Sequence, residues 1–443
     1  MINTGDTAFM MICAALVFIM TPGLAFFYGG LVSRKNVLTI MMQSFISMGV
    51  VTILWFIIGF SLTFGPDVHG LIGGLKYMFL HGVGMEANPD YGSTIPFMSF
   101  FSYQQMFAIL TPALITGAFA DRVNFKSYLV FLVLWSLLIY IPLAHWVWGG
   151  GFLQQMGVVD FAGGIVVHAS AGLAALASVF FVGKRTVVSK VEMEPHNVTH
   201  VALGTALLWF GWFGFNAGSA LGANALAASA FIASQAAAAA ATVTWVAVEW
   251  IVQGKPTILG AASGCIAGLV AITPAAGFVA PLPALIIGAV GGVICYFAVA
   301  VVKAKLGYDD SLDAFGIHGI GGTWGSIATG LWATTEVNPA GADGLFYGSS
   351  DLLVAQIIST VVAYALAIVG TFIIFKIISL FMTVRTDKNE EITGLDIGEH
   401  GERGYNYAIM SGSPFGETPA TPLGNASLDN AAVNNAGING RNL

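Results

Sequence analysis

The chain alternates between long hydrophobic segments and short polar loops. An α-helix rises about 1.5 Å per residue, so roughly 20 apolar residues cross the hydrocarbon core of a bilayer. Counted in this way, the pattern predicts about eleven membrane-spanning helices, near residues 7–31, 37–64, 97–119, 127–145, 161–183, 198–217, 225–252, 258–275, 281–303, 314–333 and 351–382.

Composition supports the same class of protein. Of the 443 residues, 56% are hydrophobic and 9% are charged, whereas a soluble domain carries about 25% charged residues. The net charge of −7 has little bearing on nucleic acid binding, but the basic residues lie in short loops with no aromatic-interleaved patch, so we expect no nucleic acid partner. The sequence therefore predicts an all-α polytopic membrane protein surrounded by lipid.

Basic residues fix the predicted orientation, because cytoplasmic loops are enriched in lysine and arginine. The loops on the opposite side contain a single basic residue, Lys76. We therefore expect the N-terminus outside and the C-terminus inside. The predicted inner side carries Arg34, Lys35, Arg122, Lys126, Lys184, Arg185, Lys190, Lys255, Lys303, Lys305, Arg385, Lys388 and Arg403.

Two predicted spans share a motif. Span 5 begins DFAGGIVVH, from Asp160 to His168, and span 10 begins DSLDAFGIH, from Asp310 to His318. In each, seven residues separate Asp from His, and small residues follow. Because the two spans are five apart, they cross the membrane in opposite directions, as in an inverted-topology repeat of five plus five helices with one extra helix.

This repeat predicts the organisation of the chain. Residues 1–382 would form a membrane domain, with repeat 1 at about 7–183, repeat 2 at about 198–333 and the extra helix at 351–382. Residues 383–405 are polar and predicted to be a cytoplasmic regulatory segment. Residues 406–443, rich in Asn, Gly, Pro and Ala, are predicted to be disordered.

The two histidines are the strongest candidates for function. If each helix starts at its Asp, eight residues of helix carry His168 and His318 roughly 12 Å into the membrane from opposite sides. Both would then lie near the midplane, where transporters bind their substrates, and the rings could share a hydrogen bond. A packing role is the alternative for either histidine alone, but two at symmetric positions favour a pore.

Five motifs resemble one known family. DFAGGIVVH, GWFGFNAGSA (211–220), GAFADRVNF (117–125), FGIHGIGG (315–322) and GLDIGEHGE (394–402) are similar to the ammonium transporter family, Amt/Mep type. The resemblance extends from about residue 7 to residue 405. It implies a homotrimer in the plasma or inner membrane, with one pore through each subunit and no cofactor or metal.

The resemblance also implies roles for individual residues. Phe107, Trp148 and Ser219 would recruit ammonium outside, and Phe107 and Phe215 would stack as a gate below them. Cation–π attraction to Trp148 and a hydrogen bond accepted by Ser219 suit that role. Asp160 would cap its helix and stabilise the incoming cation through its field, without touching it. For Asp310 and Asp313 at the inner side, we expect helix capping.

The implied transport cycle recruits ammonium, removes a proton, conducts ammonia past the histidines and adds a proton again inside. The residues do not decide whether the proton also crosses; because the paired histidines offer it a path, we expect net movement of a proton or cation. The tail motif implies coupling between subunits and a cytoplasmic face that receives a PII-type signalling protein.

Three other classes of protein are alternatives to an ammonium transporter. A membrane metalloenzyme is disfavoured because catalytic metals want three ligands close together and no HExxH motif is present. An ammonium sensor and a passive channel for a small neutral gas would use the same pore, and the sequence separates them poorly from a transporter.

Overall fold

The structure is a computed structural model, and it describes residues 1–186 and 194–405. Residues 1–404 form one compact unit. Lys190 and the predicted disordered tail, 406–443, lie outside the described residues.

Helices occupy the positions of all eleven predicted spans. Eight of them, α1, α2, α4–α7, α9 and α11, are long and apolar enough to cross a membrane; α8 is shorter, and α3 and α10 are less apolar. The helices are α1 (Thr4–Leu31), α2 (Val37–Phe64), α3 (Phe97–Phe119), α4 (Phe125–Trp135, a π turn Ser136–Tyr140, and Ile141–Trp148), α5 (Gly164–Val182), α6 (Val198–Ala217), α7 (Ala225–Gln253), α8 (Ile258–Ile272), α9 (Pro281–Leu306), α10 (Phe315–Gly319 and Ile320–Trp332) and α11 (Asp351–Ser379).

Little other regular structure is present in the described ranges. A two-stranded antiparallel hairpin, β1 (Asp67–Val68) and β2 (Ile72–Gly73), follows α2. Two short helices, α12 (Lys388–Thr393) and α13 (Leu395–His400), follow α11. The all-α polytopic class predicted from the sequence is confirmed.

Contacts between loops agree with the predicted sidedness. At one end of the bundle, the Asn3 amide donates to the Thr94 carbonyl (2.8 Å), and the Ala223 amide donates to Asp6 (2.9 Å). At the other end, Arg122 pairs with Asp309. The first set joins loops predicted to be outside and the second joins loops predicted to be inside. With basic residues marking the cytoplasm, the N-terminus is outside.

The two motif helices, α5 and α10, cross in opposite directions at a contact between glycines. A Cβ on Gly172 would lie 2.0 Å from the Gly319 nitrogen, and a Cβ on Gly322 would lie 2.8 Å from the Ala169 nitrogen. The residue number rises along α5 as the number of the contacting residue in α10 falls, so the two helices are antiparallel. Each of these two glycines, Gly172 and Gly322, stands four residues after its motif histidine, which makes the contact reciprocal.

The starts of both helices differ from the prediction. Residues 160–163 are not helical, Gly163 has φ +109°, and α5 begins at Gly164; α10 begins at Phe315. The assumption of continuous helix from each Asp, on which the depth of roughly 12 Å rests, is therefore wrong. The chain turns at Gly163 so that the Asp160 carboxylate reaches the free amides of the first helical turn.

Candidate functional site

A cavity of roughly 530 Å³ opens at the outer end of the bundle. Phe107, Trp148 and Ser219, the three residues expected at an outer recruitment site, all line it, as does Asp160. They come from α3, the end of α4, the segment after α6, and the turn before α5. Distant parts of the chain thus bring the predicted outer residues together around one space.

Trp148 is held by a hydrogen bond from its indole Nε1 to the Asp160 carbonyl oxygen, at 2.8 Å. The Ser219 hydroxyl donates to the Phe215 carbonyl oxygen at 3.0 Å. Since that bond uses the hydroxyl hydrogen, the Ser219 oxygen keeps lone pairs for a donor. The hydroxyl oxygen of Tyr103, a residue that the sequence analysis did not single out, lies 3.2 Å from the Ser219 hydroxyl oxygen.

Phe107 and Phe215 lie in contact below the cavity. Their ring centroids are 4.3 Å apart with planes tilted by 34°, and both side chains are buried. Phe107 also meets Trp148 edge-on at 6.2 Å. The two phenylalanines therefore separate the outer cavity from the buried interior of the bundle, which is the position expected of a gate.

Beneath the phenylalanines lie the two histidines. The His168 ring stacks at 5.8 Å from Phe215 on one side and at 5.3 Å from His318 on the other. Both imidazoles are buried. Phe107, Phe215, His168 and His318 thus form one continuous row of rings leading inward from the outer cavity.

The expected hydrogen bond between the imidazoles is absent. Neither ring nitrogen of His168, nor Nδ1 of His318, has a hydrogen-bond partner among the described residues. The ring centroids lie 5.3 Å apart with nearly parallel planes, 17° apart, and neither nitrogen of His168 bonds to His318 in this arrangement. Buried polar atoms are normally paired, so these nitrogens have hydrogen-bonding capacity that the described residues do not use.

Each histidine lies on a π turn, Gly164–Ala169 in α5 and Phe315–Gly319 in α10. Such turns are rare and often mark functional sites. The sequence motif predicted neither turn, because the extra residue per turn depends on how the two helices pack.

Asp160 and Asp310 cap these helices in the same way. Asp160 accepts hydrogen bonds from the amides of Gly163, Gly164, Ile165 and Val166 at 2.6–3.1 Å. The carboxylate of Asp310 accepts from two amides, at the matching fourth and fifth positions.

Asp313 does not cap a helix, contrary to expectation. Its carboxylate pairs with Lys303 of α9.

Trp212 and Thr273 are further side chains that the sequence analysis missed. The Trp212 ring stacks on His168 at 5.2 Å, and its Nε1 donates to the Thr273 hydroxyl at 2.9 Å. Trp212 lies within the GWFGFNAGSA motif, which was the one signal that could have identified it. Thr273 follows α8 and carries no local sign of its role.

Comparison with known proteins agrees with the geometry. The profile of the Ammonium Transporter Family matches residues 8–405. The chain is 54% identical to an ammonium transporter of Bacillus subtilis, over 91% of this chain and 99% of that protein. It is 45% identical to the ammonium transporter Amt1 of Archaeoglobus fulgidus, over 91% and 100%.

Solved structures show the same fold. The crystal structure of Candida albicans Mep2 is 35% identical and matches 88% of both chains with a TM-score of 0.82. A sensor Amt protein is 28% identical and matches 89% of this chain and 98% of that one, also with a TM-score of 0.82. This protein therefore belongs to the ammonium transporter family, as a multi-pass protein of the cell membrane.

Proposed function

We propose that this protein takes up ammonium by binding the cation in the outer cavity, removing its proton and conducting ammonia past His168 and His318 into the cytoplasm. The observation that carries the proposal is the buried pair of stacked imidazoles, with unpartnered nitrogens, below the Phe107–Phe215 contact.

The outer cavity has the chemistry of a cation site. The Trp148 face can attract ammonium by about 0.5–2 kcal/mol, and Ser219 supplies a lone pair. Asp160 lines the same cavity, but its carboxylate is occupied by four backbone amides. Its backbone carbonyl would hold Trp148, while the carboxylate would hold the helix start and add a negative field, without binding the ion directly.

Below the gate, the surroundings favour a neutral molecule. A charged group in hydrocarbon costs at least about 2.5–3.5 kcal/mol, whereas ammonia is small and uncharged. Each neutral imidazole offers one donor and one acceptor, and no described residue of the chain occupies the nitrogens of His168. Hydrated sodium or potassium would find neither charge nor enough oxygen ligands there.

The proton removed from ammonium would cross with ammonia, giving net movement of one positive charge. The stacked histidines are the candidate path, because imidazole both gives and takes protons.

The experiment is a current measurement. Purified protein in liposomes on a solid-supported membrane would receive an ammonium pulse, with His168→Ala, His318→Ala and the double variant compared with wild type. His81→Ala, in an exposed outer loop, is the matched control. We expect a saturable current in wild type and His81→Ala, and loss of current or of ion selectivity in the pore variants.

The other outcomes separate the alternatives. Internal alkalinisation without current would replace the proposal with a passive channel for ammonia or another neutral gas. Neither signal, with the protein folded, would leave an ammonium sensor. The solved structure named a sensor Amt protein is 28% identical to this chain, whereas a protein named an ammonium transporter is 54% identical. This difference supports transport over sensing.

The homotrimer and the PII-type partner stay predictions. The polar segment 383–405 that would serve them packs on the inner face: the Asp396 carboxylate accepts from the Leu38 and Thr39 amides at the start of α2, at 3.0 and 2.8 Å. Native mass spectrometry would test the trimer, and co-purification with a PII protein would test the partner.

A further inference from the structure

A third buried histidine lies close to the outer cavity. His145, on the last stretch of α4, is fully buried. Its Nδ1 lies 2.8 Å from the Thr63 carbonyl oxygen, and its Nε2 lies 2.8 Å from Oδ1 of Asp67. Both ring nitrogens of His145 therefore have hydrogen-bond partners, whereas those of His168 have none among the described residues.

The identity of the two partners fixes the protons. A carbonyl oxygen only accepts hydrogen bonds, so Nδ1 of His145 must carry a hydrogen. A carboxylate also accepts, so Nε2 must carry a second one. A neutral imidazole has one N–H and satisfies one of these contacts. The arrangement therefore requires an imidazolium facing a carboxylate, or a neutral ring facing a protonated acid.

The surroundings of Asp67 favour the charged pair. Its side chain is 30% exposed, and its second oxygen accepts the Gly70 amide at 2.9 Å. Both features stabilise a carboxylate over an acid. The hydrogen bond from His145, with smaller help from the Gly70 amide and nearby His69, lowers the pKa of Asp67 below its usual value.

The pair belongs to a wider joint between two outer segments. The Trp146 indole donates to the Leu71 carbonyl oxygen at 2.7 Å, and the Phe152 amide donates to the Gly70 carbonyl oxygen at 3.0 Å. These bonds, with His145–Asp67, attach the β1–β2 hairpin to residues 145–152.

Trp148 stands in the middle of the attached segment. It is the last residue of α4, and the His145 carbonyl oxygen accepts the amides of both Gly149 and Gly151, at 2.9 and 3.0 Å. The fit is close, since a Cβ on Gly149 would lie 2.6 Å from His145 Nδ1 and 2.0 Å from the Thr63 oxygen. A displaced His145 ring therefore displaces the turn that ends the tryptophan's helix.

We propose that His145 is a buried imidazolium, neutralised by Asp67, and that this pair positions Trp148 for ammonium. The proposal rests on the outer cavity being the ammonium site described above. Asp67 has two tasks: it anchors the hairpin, and it cancels a positive charge that would otherwise repel a cation entering the cavity. Neither residue touches the ion, so both are positioning residues.

The transport test uses the reconstituted full chain and the ammonium pulse. Asp67→Asn keeps the shape but removes the charge. We expect its apparent KM for ammonium to rise roughly three- to ten-fold, while the maximal current stays within about two-fold of wild type. Asp67→Glu should lie closer to wild type. Asp343→Asn is the control, because Asp343 is an outer-loop carboxylate that bonds only within its own loop, to Thr335, in the contacts described.

The outcomes are distinguishable. An unchanged KM in Asp67→Asn, with a normal wild-type current, would overturn the positioning role and leave ammonium transport standing. An equal rise in Asp343→Asn would show a general surface-charge effect and would also overturn it. Absence of current in wild type would instead refute the proposed function, and the charge state of His145 would then be decided by the measurement below.

Nitrogen-15 spectra of the protein labelled on histidine give that measurement without transport. The His145 signals are assigned by their loss in His145→Gln. We expect both ring nitrogens to be protonated in wild type at neutral pH. A neutral His145 ring in wild type would overturn the imidazolium assignment.

Discussion

Gly172 of α5 lies against the backbone of Gly319 in α10, so close that a Cβ on Gly172 would fall 2.0 Å from the Gly319 nitrogen and 2.9 Å from the His318 carbonyl carbon. This contact sets the distance between the helices that carry the two pore histidines. The ring stacking of His168 on His318 at 5.3 Å therefore depends on a glycine with no polar group of its own.

Gly172→Ala should separate the two helices or distort them. Overpacking of this kind costs about 1–3 kcal/mol, and we expect a lower melting temperature in detergent together with a loss of ammonium current. Gly49→Ala is the control, because a Cβ there meets nothing within 4 Å. A Gly172→Ala protein with wild-type current would show that the histidine spacing is not critical.

Asp160→Asn should destabilise the protein more than Asp310→Asn. Asp160 accepts four backbone amides and Asp310 accepts two. An asparagine has one accepting oxygen, and its NH₂ group would face amide donors. Each buried amide left unpaired costs about 1–3 kcal/mol, so we expect losses of about 2–6 kcal/mol for the two amides at Asp160 against about 1–3 kcal/mol for the one at Asp310.

Thermal unfolding in detergent measures this difference. Equal losses for the two asparagine variants would contradict the view that the amide count decides the stability of these caps.

Thr273→Val should lower transport indirectly, by releasing the Trp212 ring that stacks on His168. The valine removes the acceptor for the buried Trp212 indole, whose ring stacks on His168. We expect a stability loss of about 1–3 kcal/mol and a lower maximal current, with KM near wild type because the outer cavity is unchanged. Thr242→Val is the control, because the Thr242 hydroxyl donates to the Ala238 carbonyl oxygen within its own helix. A raised KM with unchanged maximal current would contradict this assignment.

Asp309 should make stability depend on pH at the inner face. Burial raises the pKa of Asp309, but hydrogen bonds and charge from Arg185, together with the charge of Arg122, outweigh burial and lower the pKa from 3.8 to about 2. The folded state therefore favours the carboxylate. This stabilisation is fully present above pH 4 and is lost as the pH falls from about 4 to about 2.

Asp309→Asn should thus cost on the order of 2 kcal/mol at pH 7, since the shift is nearly two pKa units. The difference from wild type should shrink as the pH falls below 4. Melting temperatures of both proteins between pH 3 and 7 check this, with Asp90→Asn, in an exposed outer loop, as the control. A difference that grows on acidification would have the wrong sign.

The sequence was most informative where one local property decides the structure. The eleven apolar segments became helices at the predicted positions, because the bilayer demands hydrophobic length and internal hydrogen bonding from each segment by itself. The Asp–x7–His repeat identified His168 and His318 as a pair, because a repeated motif on spans of opposite direction implies symmetric positions.

The sequence was least informative where two segments approach each other. The Asp–His spacing suggested continuous helix, but Gly163 and the π turns shortened it. The hydrogen bond expected between the histidines is not formed, although their ring centroids lie only 5.3 Å apart. Trp212 and Thr273 are 61 residues apart in the chain, and His145 and Asp67 are 78 apart, so no local spacing relates them.

The sequence by itself therefore determined the membrane class, the number and direction of the spans, and the pairing of two histidines at symmetric positions, because hydrophobicity, loop charge and internal repetition act one segment at a time. Only the tertiary structure decided how the histidines meet, which groups accept the indole hydrogens of Trp148 and Trp212, and that His145 lies between two acceptors. Those features arise from close approach of helices distant in the chain, where steric fit and hydrogen-bond pairing select the partners.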